Sequence, residues 1–388
     1  MNILMTTHSY PPYLRQSGVG IAVKNIVDVL SKNNDVFVIA SKPPQKLCKS
    51  EKRIVRIPIK SVFHLKTGIF QFGYRSLRVA KTLLKKYDFD IFHDHEFVGT
   101  RIARYIKKEK PEIRTFEHSH SPLTGHLQSD RPLNPIGLIK KVLAKVNYEI
   151  FKPRFDWDKY IDEYISVSET HKKELRLQGI NEGRISVVYN PIDTQKYSDR
   201  PEEKEKKVVF CGFLGPRKRP HWVIRAAKEL IKERDMNVKF TLLGTGRLYR
   251  QLRNTISNYR LSNHVKLKGF VSEEDKIKEY QTSLLFTSPS TWESFGLSIA
   301  EAMSCSTPAL SSNAWSMKEI VKHGKTGLRF ETYDFQDYVD KMEYLLNNPQ
   351  EAKKMGNKAR RYVLENFSFP VVKQKLCRIY GEASKERS

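Results

Sequence analysis

The chain has 388 residues, enough for two domains of ordinary size with separate cores. It carries 69 Lys and Arg against 43 Asp and Glu, and no run of eighteen apolar residues, so nothing in it reads as a membrane span. The four cysteines, Cys48, Cys211, Cys305 and Cys377, are scattered without Cys-x-x-Cys spacing, which argues against zinc and a disulfide framework and fits a reducing cytoplasm.

Strand and helix signals alternate from the first residue, the pattern of a mostly parallel, doubly wound α/β sheet. Residues 2–5 predict a first strand rather than a signal peptide, since neither a basic start nor a long apolar core is present. A polar loop at 6–20, an amphipathic helix at 21–31 and a strand at 36–40 follow. Further strands are expected at 54–59, 90–92, 113–116, 164–167 and 186–189. A second series runs through 207–211, 238–243, 265–267, 284–287, 309–311 and 327–330. Between the two series, 194–206 is rich in Lys and Glu and has linker composition.

The formal charge is +26, divided as 33 basic against 19 acidic residues up to Asn190 and 36 against 24 beyond it. Residues 52–87 hold ten cations and no acid, with Arg75, Arg78, Lys81, Lys85 and Lys86 along an expected helix. Such a surface suits nucleic acid, an anionic membrane or an acidic substrate, or reflects only a Lys-rich source.

Loops that follow strands are where doubly wound sheets bind ligands. In the stretch 288–308 a helix is expected from about Gly296 to Ser304, so Phe295, Gly296 and Leu297 would offer N–H groups to a phosphate. Glu293 falls in the loop before it, and Glu301 sits among Ala300, Ala302 and Met303. These features suit a nucleotide sugar, but taken alone they fit an ordinary strand–loop–helix equally well. Gly18 and Gly20 precede a helix and let the backbone approach an anion, although loop glycines more often only form turns. In His93-Asp94-His95-Glu96, strand alternation lets only His93 with His95, or Asp94 with Glu96, converge, which makes a packed loop a better expectation than a metal. His118 and His120 follow the next strand. Beyond them lie a long loop at 121–135 and a basic amphipathic segment at 136–154. After a glycine loop come Arg217, Lys218 and Arg219, three cations suited to a diphosphate whose charge grows as a glycosidic bond breaks. Leu243-Gly-Thr-Gly246 lacks the third glycine of a dinucleotide fingerprint.

The pattern Glu-x7-Glu from Glu293 to Glu301, followed by Ala-Met and Thr307-Pro308, resembles the signature of the retaining glycosyltransferases of family 4, within the group 1 glycosyltransferases. Nearly the whole chain shares the resemblance. Ser17-Gly18-Val19-Gly20 is similar to a Gly-Gly-Val-Gly loop, Asp90, His93 and His95 to Asp-x-x-His-x-His, and Asn190-Pro-Ile-Asp193 to the domain crossing. Residues 211–219 are similar to Gly-Arg-Leu-x-x-x-Lys-Gly, with Lys218 on the lysine but Phe213 where an arginine is usual. Either Arg217 or Arg219 then substitutes, or the diphosphate is held more weakly.

The resemblance implies a GT-B architecture, two Rossmann-like doubly wound domains facing a central cleft. The acceptor side is expected at 1–190, a linker at 191–206, the nucleotide-sugar domain at 207–370, and a helix at 371–388 returning to the first domain. It implies transfer of a hexose from a UDP- or GDP-sugar to a hydroxyl of a glycan or lipid-linked acceptor, by same-face attack without a protein nucleophile and without an obligatory metal or other cofactor. His118, Lys218 and Glu293 are the implied catalytic residues, with Glu293 orienting the sugar. Gly18, Arg217, Gly244, Phe270, Val271, Phe295, Gly296, Leu297 and Glu301 are the implied donor contacts, Glu301 on the ribose. His120 and His93 border the sugar and acceptor. The basic first domain adds the expectation of an anionic membrane surface, with the protein peripheral on its inner face. Two competing readings stand beside this one. Charge suggests a nucleic-acid-binding or base-modifying protein, without any recognisable nucleic-acid motif. Phe213, with Ser306 where a glycine is usual, suggests a non-catalytic or phosphorolytic relative.

Overall fold

The computed structural model describes residues 1–11, 18–42, 53–58, 65–121, 157–200 and 203–385. Ser17, the loop at 122–135, the amphipathic segment at 136–154 and parts of the basic stretch at 52–87 lie outside the described residues. The chain forms two compact units, Met1–Pro191 together with Phe369–Ser388, and Ile192–Ser368.

In the first unit, strands β1 (Asn2–Thr7), β2 (Asp35–Lys42), β3 (Ile54–Pro58), β4 (Ile91–His95), β5 (Arg114–Ser119), β6 (Glu163–Ser166) and β7 (Ile185–Val187) make one sheet. Its order is β3-β2-β1-β4-β5-β6-β7 and every pairing is parallel. β1 is apolar on both faces because helices cover both sides of a parallel sheet. Ile3 and Met5 pack with Val23, Ile26 and Leu30 of the helix Gly18–Leu30, while Leu4 packs on the other side with Phe72, Phe92 and Ile102. The last helix, Phe369–Lys385, belongs to this unit, and its Val372, Leu376 and Tyr380 join the Ile3 side of the core.

The second unit repeats the plan with β8 (Glu205–Cys211), β9 (Lys239–Leu243), β10 (Val265–Gly269), β11 (Ser283–Ser288), β12 (Ala309–Ser312) and β13 (Gly327–Phe330). These are ordered β10-β9-β8-β11-β12-β13, again all parallel. Each sheet therefore reverses its winding once, between β1 and β4 and between β8 and β11. At such a reversal the loops leaving the two strands diverge to opposite faces and open a crevice at their carboxyl ends.

A linker is expected at 191–206, with linker composition over 194–206, but its described residues pack into the second unit. Ile192 N–H donates to Phe367 O at 2.8 Å, Tyr197 is 4% exposed, and Lys204 Nζ reaches Gln281 O at 3.0 Å and Thr307 Oγ1 at 2.8 Å. Two apolar residues and one well-placed ammonium anchor the stretch, and an average over its composition hides them. Among the described residues no helix is long and apolar enough to cross a membrane.

Leu376 is fully buried on the returning helix. Leu376→Ala should destabilise the protein by about 2–5 kcal/mol, whereas Leu364→Ala, at a position 40% exposed, should change stability by less than about 0.5 kcal/mol. Thermal and denaturant unfolding of the two variants checks this.

Candidate functional site

At the reversal in the second sheet, the loop after β8 meets the loop after β11. β8 runs into Gly212, Phe213 and a short 3-10 turn at Pro216–Lys218. Thr291 N–H donates to Arg217 O at 2.9 Å, which ties the two loops together. The second loop is pinned from below by hydroxyls. Ser312 Oγ donates to Ser290 O at 2.5 Å, and Ser316 Oγ lies 2.7 Å from Glu293 O and 2.8 Å from Phe295 O.

Between the loops, Glu293 takes both cations. Lys218 Nζ is 2.5 Å from its Oε1 and Arg217 Nη1 is 3.0 Å from its Oε2. Arg217 also donates to Trp292 O at 2.7 Å and lies over the Trp292 ring, 4.4 Å from its centroid. The Glu293 side chain is only 9% exposed. Burial pushes its carboxyl up, but Arg217 and Lys218 outweigh that and hold it at about 2. Burial and Arg217 pull the Lys218 ammonium below its ordinary value despite Glu293.

Of the three consecutive cations, Arg219 goes elsewhere. It adopts a left-handed φ of 46°, caps the 3-10 turn and starts the helix Pro220–Lys228. Its guanidinium donates to Thr332 O between the rings of Trp222 and Tyr333. Arg217 alone shares Glu293 with Lys218. Phe213, in place of an arginine, is 52% exposed, and Phe270, after β10, is 57% exposed. Val271 beside it is half-buried.

Gly244 is fixed by packing. At φ 128°, an added Cβ would stand 2.0 Å from Gly212 O, so the loops after β8 and β9 touch backbone to backbone. Gly296, at φ 104°, is the N-cap of the helix Leu297–Ser304 and brings no side chain to accept from its first turn. That leaves the positive end of the helix dipole facing out of the loop that carries Glu293 and Phe295. Ser306 also takes a left-handed φ, 56°, a conformation in which a glycine would be unstrained.

Glu301 is 4% exposed and already engaged. Lys276 Nζ is 3.1 Å from its Oε2, and Tyr280 OH donates to the same oxygen at 3.3 Å. Burial alone would lower Lys276, but Glu301, Cys211 and Glu273 keep its ammonium raised. Neither Lys276 nor Tyr280 stands out in the sequence, because Glu-Glu-Asp-Lys-Ile-Lys at 273–278 reads as a solvated helix face.

In the first unit, alternation along β4 sorts two chemistries at the strand ends. Asp94 points to one face, accepting from Thr6 Oγ1 and from Gly99 N–H at 2.7 Å. Glu117 of β5 lies beside it and accepts from Phe97 N–H at 3.0 Å. Burial raises Asp94 to about 6, partly offset by the Thr6 bond, and raises Glu117 well above the carboxylate range with help from Asp94. The opposite face carries four stacked imidazoles. His93 Nε2 and His118 Nδ1 are 3.3 Å apart, and His95 Nδ1 and His120 Nε2 are 3.0 Å apart. Ring centroids are 4.4 Å apart between His93 and His95 and between His118 and His120. Burial lowers all four, His93 and His120 to about 3. His93 and His95 converge as alternation requires, whereas Glu96 does not pair with Asp94 and accepts from His120 N–H at 2.7 Å. Gly18 is exposed at the first position of its helix.

Two family models cover most of the chain, "Glycosyltransferase Family 4" over residues 16–196 and "Glycosyl transferases group 1" over 192–362. The chain belongs to the group 1 glycosyltransferases. It is similar to N-acetyl-alpha-D-glucosaminyl L-malate synthase of Bacillus anthracis, 26% identical over 77% of each chain. Among solved structures it is similar to sucrose-phosphate synthase from Thermosynechococcus elongatus, with a TM-score of 0.80, 16% identity and complete coverage of both chains. It is also similar to Anabaena HepE in complex with UDP-glucose, with a TM-score of 0.74, 16% identity and coverage of 98% of this chain and 100% of that one. The glycosyltransferase thus has the GT-B fold of two parallel-sheet α/β domains.

The depressed carboxyl of Glu293 gives this enzyme an acid-side signature. The ion pairs contribute fully above the unfolded pKa of about 4.3 and are lost as pH falls toward about 2. Relative to Glu293→Gln, the wild type should hold an advantage of at most about 3 kcal/mol near neutrality that shrinks between roughly pH 5 and 2. Urea unfolding of both proteins across that range measures it.

Proposed function

We propose that this glycosyltransferase moves a hexose from a nucleotide-diphospho-sugar to a hydroxyl of a glycan or lipid-linked acceptor with retention of configuration. The observation that carries the reading is the pair Lys218 and Arg217, gathered on buried Glu293 at the strand-order reversal. Two cations and one carboxylate leave a net positive site, and the N-terminus of the helix Leu297–Ser304 adds partial positive charge from the same loop. Such a site favours the state in which a diphosphate takes on the electrons of the broken bond.

Within this reading the diphosphate lies against Lys218, Arg217 and the N–H groups at Phe295–Leu297. Glu293 orients the sugar while fixing both cations. Glu301, held by Lys276, takes the ribose hydroxyls. Phe270 and Val271, with Gly244 behind them, border the nucleobase. His118, with His120 and His93 beside it, orients the sugar and acceptor, and Gly18 meets an anion at its helix N-terminus. The acceptor attacks on the face the diphosphate leaves, so no carboxylate serves as nucleophile. UDP is the first donor to try, because HepE is solved with UDP-glucose.

The same reading includes an anionic acceptor or membrane surface. The helix Leu65–Lys86 turns Arg75, Arg78, Lys81, Lys85 and Lys86 to solvent without an acid in its sequence. Each cation near an anionic surface adds about 1 kcal/mol of attraction.

Radiolabelled UDP-, GDP- and ADP-sugars should reveal a donor that is turned over or hydrolysed; inertness toward all of them would reject the reading. With that donor, Lys218→Ala should lose about 10²–10³-fold in kcat/KM, Glu301→Ala should weaken donor affinity, and Arg219→Ala should cost less than about tenfold. In a separate measurement, the protein should co-sediment with phosphatidylglycerol vesicles at low salt and be released by salt. Equal binding to phosphatidylcholine vesicles would remove the electrostatic account.

A further inference from the structure

We propose that His93, His95 and His118 form a binding site for one transition-metal ion of the zinc type, separate from the diphosphate site of the second unit. β4 sets His93 and His95 on one face, two residues apart, and the β4–β5 register places His118 directly opposite His95. A His-x-His pair on one strand with a third imidazole alongside supplies the three-histidine donor set that zinc accepts, with a fourth position left over. One ring nitrogen of each residue lies within 4.8 Å of the other two. A tetrahedral ion with bonds of about 2.0–2.1 Å holds its donors roughly 3.4 Å apart, and His93 Nε2 and His118 Nδ1 already stand 3.3 Å apart. Rotation of the His95 ring completes the set.

The surroundings fit an ion better than they fit a closed set of imidazole pairs. All three rings are fully buried. The hydrogen bond from His95 runs through Nδ1 to His120, and its Nε2, the nitrogen that completes the set with His93 Nε2 and His118 Nδ1, has no hydrogen-bond partner among the described residues. A buried nitrogen lone pair of this kind is what a d-block cation takes up. His93 Nδ1 lies 2.6 Å from Tyr380 OH on the returning helix. When Nδ1–H donates to the phenol oxygen, Nε2 turns its lone pair to the ion, the outer partnership that orients metal-binding histidines. His120, stacked on His118, stands next to the fourth position. An ion here would tie the ends of β4 and β5 to each other, and through Tyr380 to the C-terminal helix.

The test uses the full chain, stripped with a chelator and titrated with Co²⁺ and then with Zn²⁺ as competitor. The expected result is one ion per chain, with the intense visible absorption of tetrahedral cobalt that zinc abolishes. X-ray absorption of the zinc-loaded wild type should give imidazole nitrogens at about 2.0 Å. Tyr380→Phe should weaken binding roughly tenfold, His95→Gln should weaken it further, and His171→Gln, which alters a buried histidine outside the set, should leave it unchanged. A metal shell of oxygens alone, undiminished affinity in His95→Gln, or no binding of Co²⁺ at micromolar concentration overturns the proposal. The absorption measurement on the wild type decides even if a variant fails to fold. None of these readouts uses a sugar donor, so their failure leaves glycosyl transfer untouched; their success would assign His93 and His118 to the ion and leave His120 to face the sugar.

Discussion

A carboxylate buried at the junction of two loops governs the second unit. Glu293 cannot stay charged in that setting without partners, since an unpaired buried charge is far costlier than any hydrogen bond recovers. Lys218 and Arg217 supply the pairing from the neighbouring strand's loop, and their separation from each other is in turn set by the carboxylate. The serine hydroxyls beneath and the Thr291–Arg217 backbone bond make this geometry a property of the resting protein. Donor groups that are already aligned need no reorganisation when negative charge develops.

The first unit solves a related problem differently. Its strand ends collect acids on one face and imidazoles on the other, and the acids survive burial by accepting from Thr6, Gly99 and Phe97. The turn that delivers the Phe97 and Gly99 donors includes two left-handed residues in succession, Glu96 at φ 66° and Phe97 at φ 56°. Backbone strain of about 1–3 kcal/mol per residue in such conformations persists only where the surroundings over-determine it. Here the buried Asp94 and Glu117, each bonded to the turn, do so.

The strands and both sheets were legible in the sequence because strands covered on two faces leave apolar runs, and because glycine-rich loops mark where they end. Other features depend on facts that no linear pattern carries. Arg217 and Arg219 are indistinguishable by type, and only the left-handed turn at Arg219 separates the one that leaves. The opposition of His95 and His118 is a matter of register between strands 23 residues apart in sequence. Lys276 is hidden among charged neighbours, although it is the cation that holds Glu301. The stretch at 191–206 misleads for the opposite reason, since a few anchoring residues outweigh its average polarity. Ser306 is an intermediate case. A serine in place of glycine reads as a departure from pattern, and the structure shows that it keeps the left-handed backbone all the same.

The division of the chain has a consequence for how the protein can be taken apart. The second unit is one uninterrupted piece, Ile192–Ser368, while the first is assembled from both ends of the chain. A simple stop after Pro191 would therefore strip the first sheet of Val372, Leu376 and Tyr380 and leave an apolar groove over the helix Gly18–Leu30. To express that half intact, the polypeptide would have to be spliced, joining Pro191 to Phe369 through a short insert. By the same logic, a tag or fusion at the carboxyl terminus reports on the folding of the amino-terminal half.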